Sequence, residues 1–218
     1  QHVAAGLLRL TDAANLISRA RALTIAISDF VYRESKFFEC FLKTCNYEYS
    51  EATHSVNVFI YSLCLVQRIG IRDIGWIQNF STGALLLDLG KSSIDKSILN
   101  QHGPLNSSQW KMMKMHSVWS WETLKKHAII DEVVLNIARS HHEKLNGSGY
   151  PDGLNKNQIP QYVRIVTICD IFDALTTKRA YGDAVDSFPA LKMMHEKMTG
   201  EIDSELFKVF VQMMSSVK

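Results

Sequence analysis

The order of apolar and polar positions along this chain predicts helices almost throughout. Residues 1 to 45 carry Leu7, Leu8, Ile17, Leu23, Ile27, Val31, Phe38 and Phe41 among their apolar positions and read as one or two helices. Ser50 and Glu51 start a helix that runs through Gln67 and stops at Gly70, and residues 73 to 88 form the next. Asn106-Ser107-Ser108-Gln109 is a capping-box variant, with an N-cap Asn and a Gln at the third helical position, and it opens a helix carrying His116. Asp131 caps a further helix in which Val134, Ile137, Ala138 and His141 share one face at i, i+3, i+4 and i+7. His142 sits about 100° around that helix, and Asn146-Gly147 ends it. Ile159-Pro160 leads into an apolar helix from Val163 to Leu175, and Ser187, Gly200 and Asp203 punctuate two last helices. Strong strand alternation and internal repeats are absent. The pattern predicts an all-α fold, a helical bundle with short connections. Residues 1–49 form an N-terminal helical segment or signalling linker, and residues 50–218 form the main domain.

Composition narrows this only a little. Of 218 residues, 46% are hydrophobic, enough for a sizeable core. Lys and Arg number 24 against 22 Asp and Glu, a balance that gives no argument for a nucleic-acid polymer or a membrane surface as partner. No apolar stretch approaches the length of a membrane span. The cysteines, Cys40, Cys45, Cys64 and Cys169, have no metal-site spacing. Cys64 and Cys169 lie in apolar helical runs, which predicts inert buried thiols and fits a reducing cytoplasm. The chain opens at Gln1 without a signal-like segment, so an upstream domain stays open.

Candidate chemistry concentrates in His141-His142-Glu143-Lys144-Leu145-Asn146-Gly147-Ser148-Gly149-Tyr150-Pro151. A single histidine on an apolar face is more often a core residue than a ligand. A pair of them at a helix end, followed by a carboxylate and this loop, points to a metal site. Asp170 supports that independently. It lies in the run from Ile165 to Leu175, a helix apolar on all sides and therefore buried. A buried carboxylate there needs a cationic partner. Arg164 or Arg179 would serve, but a metal also explains why two imidazoles face inward.

The loop resembles the signature of the HD-GYP domains, a branch of the HD metal-dependent phosphohydrolases, and matching blocks follow in order over roughly residues 50 to 216. The resemblance implies an HD-type all-helical fold, two or three metal ions, and the bacterial second messenger cyclic di-GMP as substrate. It assigns His54, Asp88, His116, His141, His142 and Asp170 as metal ligands, with Asp88 bridging two ions. It places Lys91 and Arg179 on substrate phosphate, puts Tyr150 of the Gly-Tyr-Pro in the substrate site, and makes Asp173 a supporting acid one turn after Asp170. Ligation by imidazole and carboxylate without thiolate suits iron, manganese or zinc, and the resemblance favours iron. It also suggests a GGDEF-type cyclase domain as a partner of the loop, and the helical segment of residues 1 to 45, which matches no block of the family, leaves a homodimer open.

Several positions depart from the family pattern. Leu87-Asp88 stands where the family has His-Asp, so one imidazole is missing. Leu145 and Asn146 replace a usual Trp and Asp, and Gln109 and Ser120 replace a usual Glu and Gly. Glu51, three residues before His54 and on the same helix face, is expected to supply an oxygen in partial compensation. Two functions follow. The first is a phosphodiesterase opening cyclic di-GMP to linear pGpG or GMP, weakened by Leu87, with Asp88 and Lys91 in the catalytic machinery. The second is a catalytically inactive sensor or protein-interaction module that keeps the fold, the metals and cyclic di-GMP binding.

Overall fold

The computed structural model describes residues 2–34, 36–44, 50–101, 103–129, 131–177 and 184–216, which form helices and connections. A long α1 (His2–Arg33) and a short α2 (Phe37–Thr44) precede α3 (Glu51–Arg68) and α4 (Ile74–Leu86). A 3₁₀ turn (Leu89–Ser93) and α5 (Lys96–Leu99) lead to α6 (Ser107–Lys126), α7 (Glu132–Ser140) and α8 (Gln161–Thr176). The chain ends in α9 (Ser187–Lys197) and α10 (Ser204–Ser215). Among the described residues the only β-type pairing is an isolated bridge between Asn146 and Asn155.

The helix starts follow their caps. Ser50 Oγ accepts from the Thr53 N–H at 3.0 Å, Asp73 from Trp76 at 2.9 Å, and Asp131 from Val133 at 2.9 Å. The capping box at α6 is complete, since Gln109 Oε1 accepts from the Asn106 N–H while Asn106 Oδ1 accepts from Gln109. Each such side chain satisfies a backbone donor that the first helical turn leaves without a partner.

α3 and α8 are the central helices. They pack on each other, and both are buried on several sides. Tyr61 of α3, Phe172 of α8 and Phe210 of α10 meet edge to face with centroids 5.1 to 6.3 Å apart. α4 packs on α1, α3 and α7, and α6 packs on α7 and on the 3₁₀ turn. α1 buries Ile17, Ala20, Thr24, Ser28 and Val31, spaced by three or four residues. Its Thr24 and Ser28 hydroxyls lie 3.2 and 3.0 Å from those of Thr82 and Ser81 on α4. Leu23, an apolar position of the same segment, is instead 46% exposed.

Two helices end earlier than their sequence pattern predicts. The helix expected over residues 73 to 88 stops at Leu86, because the chain tightens into the 3₁₀ turn and Gly90 lies directly against α6. A Cβ on Gly90 would collide with the His116 carbonyl and the Ser120 N–H. The helix expected to carry both His141 and His142 stops at Ser140, with His141 as its C-cap. The Glu143 N–H donates to Ser140 O at 2.9 Å and turns the chain away.

Burial sets thiol reactivity. Cys64 and Cys169 are buried, and burial alone pushes the Cys64 thiol up to about 12; burial likewise raises Cys169 well above the ordinary thiol value. Cys40 is exposed. With a maleimide under native conditions, peptide mapping is expected to find label on Cys40, and none on Cys64 or Cys169 until denaturant is added. Native labelling of either buried thiol would contradict this packing.

Candidate metal centre

Three helices and two connections place the candidate ligands together. His54 stands in the first turns of α3, Asp88 follows α4, and His116 lies midway along α6. His141 and His142 follow α7, and Asp170 and Asp173 lie on α8. All of these residues are buried except His142, which is partly so. One ligand atom each from Asp88, His116, His141 and His142 lies within 4.8 Å of the others.

The hydrogen bonds of the imidazoles say what belongs between them. His116 Nδ1 lies 2.7 Å from Met113 O, and His141 Nδ1 lies 3.0 Å from Ile137 O and 3.1 Å from Ala138 O. Carbonyls only accept, so both rings carry their proton on Nδ1 and present a bare Nε2 lone pair. Those two Nε2 atoms are 3.3 Å apart, and His142 Nε2 is 3.1 Å from His116 Nε2. Asp88 Oδ1 is 3.2 Å from His116 Nε2, is buried, and has no hydrogen-bond donor. Lone pairs converging on an anionic oxygen repel one another, and a buried oxygen without a donor is costly. A divalent cation satisfies every one of these atoms, so the donor set fits a metal ion. Burial pulls His141 down to about 4 against the opposing pull of Asp88, and burial likewise holds His142 well below its ordinary value. Neutral imidazoles are the form that ligates.

Asp88 faces two ways. Oδ2 lies 3.3 Å from His54 Nε2 and 2.7 Å from Lys91 Nζ, on the opposite side from the three-histidine group. His54 Nε2 is also 3.0 Å from Asp170 Oδ1, and His142 Nδ1 is 3.5 Å from Asp170 Oδ2. Burial opposes charge on Asp88, but the Lys91 ammonium and the hydrogen bond from His54 hold its carboxyl well below the usual range. Burial also opposes a proton on His54, yet its hydrogen bonds to Asp170, Asp173 and Asp88 hold its pKa well above the ordinary value. A second ion with His54, Asp88 and Asp170 as ligands would replace the proton that these carboxylates otherwise hold on His54 Nε2.

The supporting residues are now legible. Asp173 accepts from His54 Nδ1 at 2.6 Å and from Asn57 Nδ2 at 2.8 Å, so it sets the direction of the His54 ring. Asn57, which sequence reasoning missed, shares the inner face of α3 one turn after His54. A buried polar side chain between Val56 and Val58 was the available signal. Arg164 is not the partner of Asp170; it pairs with Asp203 at 3.1 Å and donates to two backbone carbonyls. Glu51 reaches Lys91 Nζ at 3.0 Å, so the oxygen expected to join the ligand set is tied to the lysine instead. Arg179 lies outside the described residues. Leu87 is fully buried in the main apolar core.

The signature loop hangs on Glu143, a carboxylate that the sequence counts toward the metal site but that the structure turns to the loop backbone. Its buried carboxylate accepts the N–H groups of Asp152, Gly153 and Leu154 at 2.7, 3.1 and 2.9 Å. Gly149 lies so close to the backbone of Glu143 and Lys144 that a Cβ has no room. Asn146 accepts from the Ser148 N–H at 3.0 Å, Leu145 packs on the core, and Ser120 Oγ accepts from Gly90 N–H at 2.8 Å. Three departures from the family pattern therefore do structural work. The centre floors a cleft of about 840 Å³, lined by Glu51, Lys91, Trp110 and Tyr150 among others.

Comparison with known proteins identifies the family and the fold. A model of the HD domain family matches residues 44–206. The 3'3'-cGAMP-specific phosphodiesterase 3 of Vibrio cholerae is 35% identical over 158 residues, covering 72% of this chain and 34% of that protein. Cyclic di-GMP phosphodiesterase PA4108 of Pseudomonas aeruginosa is 29% identical over 159 residues, covering 73% of this chain and 38% of that one. The chain thus spans little more than a third of the length of either relative. The structure of Bd1817, an HDG"Y"P protein from Bdellovibrio bacteriovorus, superposes with a TM-score of 0.79 at 21% identity, over 93% of this chain and 64% of that one, which shows a shared fold.

Asp88→Ala is expected to abolish binding of divalent metal, read by elemental analysis of anaerobically purified protein. Asp173→Asn is expected to weaken it by about 10- to 100-fold, the usual scale for a residue that orients a ligand. Wild-type metal content in Asp88→Ala would contradict the ligand assignment.

Proposed function

The chain belongs to the HD domain family and carries the signature loop of its HD-GYP branch, and we propose that it is a metal-dependent phosphodiesterase acting on cyclic dinucleotides. The substrate favoured by the signature is cyclic di-GMP, opened to linear pGpG or GMP. The observation that carries this reading is the meeting of bare imidazole lone pairs and an unsatisfied Asp88 oxygen at the floor of a cleft large enough for a small-molecule ligand. Support for two ions comes from Asp88 itself, which directs one oxygen to the three-histidine side and the other to His54. Iron is the favoured metal, with manganese or zinc as alternatives. Such ions supply Lewis-acid charge and an activated water to phosphodiester hydrolysis.

The protein's own groups prepare the rest. Asp173 and Asn57 hold the His54 ring in one orientation, so the site need not reorganise as charge develops. Lys91 sets an ammonium at the cleft floor beside Asp88, where it offsets charge on a non-bridging phosphate oxygen. Arg179 is assigned a similar role by the family pattern. The same reading places the protein in the cytoplasm, with a GGDEF-type domain as a partner of the Gly-Tyr-Pro loop and a homodimer as an open assembly. Among the described residues no helix is long and apolar enough to cross a membrane.

Leu87 favours a second reading. With an apolar side chain fully buried where the family pattern has an imidazole, the His54 side has one ligand fewer. A sensor that binds cyclic di-GMP without cleaving it needs no complete set.

Incubation of the metal-loaded protein with cyclic di-GMP, beside 3'3'-cGAMP, tests both readings by product analysis. The enzyme reading expects linear product from the wild type and none from Asp88→Ala. Nucleotide binding without product, in the wild type and in Leu87→His alike, would establish the sensor. If the missing imidazole limits the rate, Leu87→His is expected to raise hydrolysis by about 10- to 100-fold, against a packing cost of about 1 to 3 kcal/mol for a ring in a filled core.

A further inference from the structure

The cleft over the metal centre has two chemically different halves. Its floor is polar, with His54, Lys91, His116, His142 and Asp170. Its outer wall is apolar, with Ile98, Leu99, Pro104, Leu105, Trp110 and Met113. A phosphodiester suits the floor. This apolar stretch of the wall suits a flat, weakly hydrated ring better than a second phosphate.

Trp110 is placed to hold such a ring. It is 47% exposed although an indole is among the costliest side chains to leave in water. Trp110, Met113 and His116 succeed one another at three-residue steps on α6, so the indole sits about 9 Å along the helix from His116. That is about the reach from a phosphate to the base on its own sugar. An aromatic series joins the two ends. The Tyr150 ring stacks on His142, with centroids 4.7 Å apart and planes at 30°, and meets Trp110 at 6.1 Å and 79°. Two rings near a right angle make a corner. A planar heterocycle laid on the indole face meets Tyr150 across its edge, a favoured aromatic geometry on both sides. Glu143 ties down the loop that carries Tyr150, so the corner is built before anything binds.

We infer that Trp110, cornered by Tyr150, is the stacking platform for one nucleobase of the substrate whose phosphate lies on the histidine and aspartate floor. The inference rests on the phosphodiesterase reading and deepens it. Trp110 sets the demand for an aromatic base, and stacking by itself accepts any base, since each has a π-face.

Equilibrium binding to the metal-loaded protein separates the possibilities, with cyclic di-GMP, GMP and ribose 5-phosphate as probes and metal content as a check on each variant. Trp110→Ala is expected to weaken cyclic di-GMP and GMP by about 5- to 150-fold, the range of one base stacked on an aromatic side chain. Ribose 5-phosphate, which has no base, is expected to bind equally to both forms. Trp110→Phe is expected to keep most of the affinity while losing the quenching of indole fluorescence that GMP causes in the wild type. Equal affinity of wild type and Trp110→Ala for GMP would overturn the platform and leave the phosphodiesterase reading standing. So would an equal loss for all three probes, which marks a structural effect. A wild type that binds no nucleotide at all would overturn both.

Discussion

The buried carboxylate of Asp88 is the group on which the rest of this structure depends. It sits in the interior between an imidazole cluster on one side and His54 and Lys91 on the other. A charge there is tolerable only if cations and donors surround it, because burial removes its hydration. Helices distant in sequence deliver those partners: α3 brings His54, α6 brings His116, and the turn after α7 brings His141 and His142. Lys91 arrives from the 3₁₀ turn that Asp88 itself begins. Even so, Oδ1 and the facing Nε2 atoms lack protons to share. The protein has assembled a set of acceptor atoms that calls for positive charge, and this links the fold to metal chemistry.

Around that centre the molecule spends its polar interior on orientation. Asn57 steers Asp173, which steers His54. Glu143 gathers three N–H groups of the signature loop and so fixes Tyr150. Ser120 receives the Gly90 N–H and ties the turn bearing Lys91 to the helix bearing His116. These contacts lie one step behind the ligands. Each replaces water that would otherwise hydrate a backbone or carboxylate group, and together they make the ligand positions a property of the packed bundle.

The departures from the family pattern divide on the same ground. Ser120, Asn146 and Leu145 have local partners that the structure displays. Leu87 is different. It packs well, and the core is complete around it, but packing cannot replace a lone pair. Stability and ligation are thus decoupled at this position. The cleft above remains divided into a charged floor and an apolar wall, a division that matches a nucleotide's phosphate and base whichever of the two functional readings holds.

Most helices, their caps and the loop were legible in the sequence because they are local, although the 3₁₀ turn and the short α5 were not. Asn106 and Gln109 form a capping box whatever surrounds them, and the three- and four-residue spacing of Val134, Ile137 and Ala138 marks a buried face in any bundle. Asp170 stood out because an acid in an apolar run demands a partner. The identity of that partner was not local. Arg164 was an equal candidate by sequence, and only packing sent it to Asp203 and brought His54 to Asp170. The ends of α4 and α7 were misjudged for the same reason: Gly90 pressed against α6 and the turn at Glu143 stop helices that their own residues would continue. Glu51 shares a face with His54, yet the nearby Lys91 ammonium captures it. Periodicity and capping depend on neighbours in the chain, so one sequence states them. Which buried charges meet depends on neighbours in space, and the tertiary structure alone decided that.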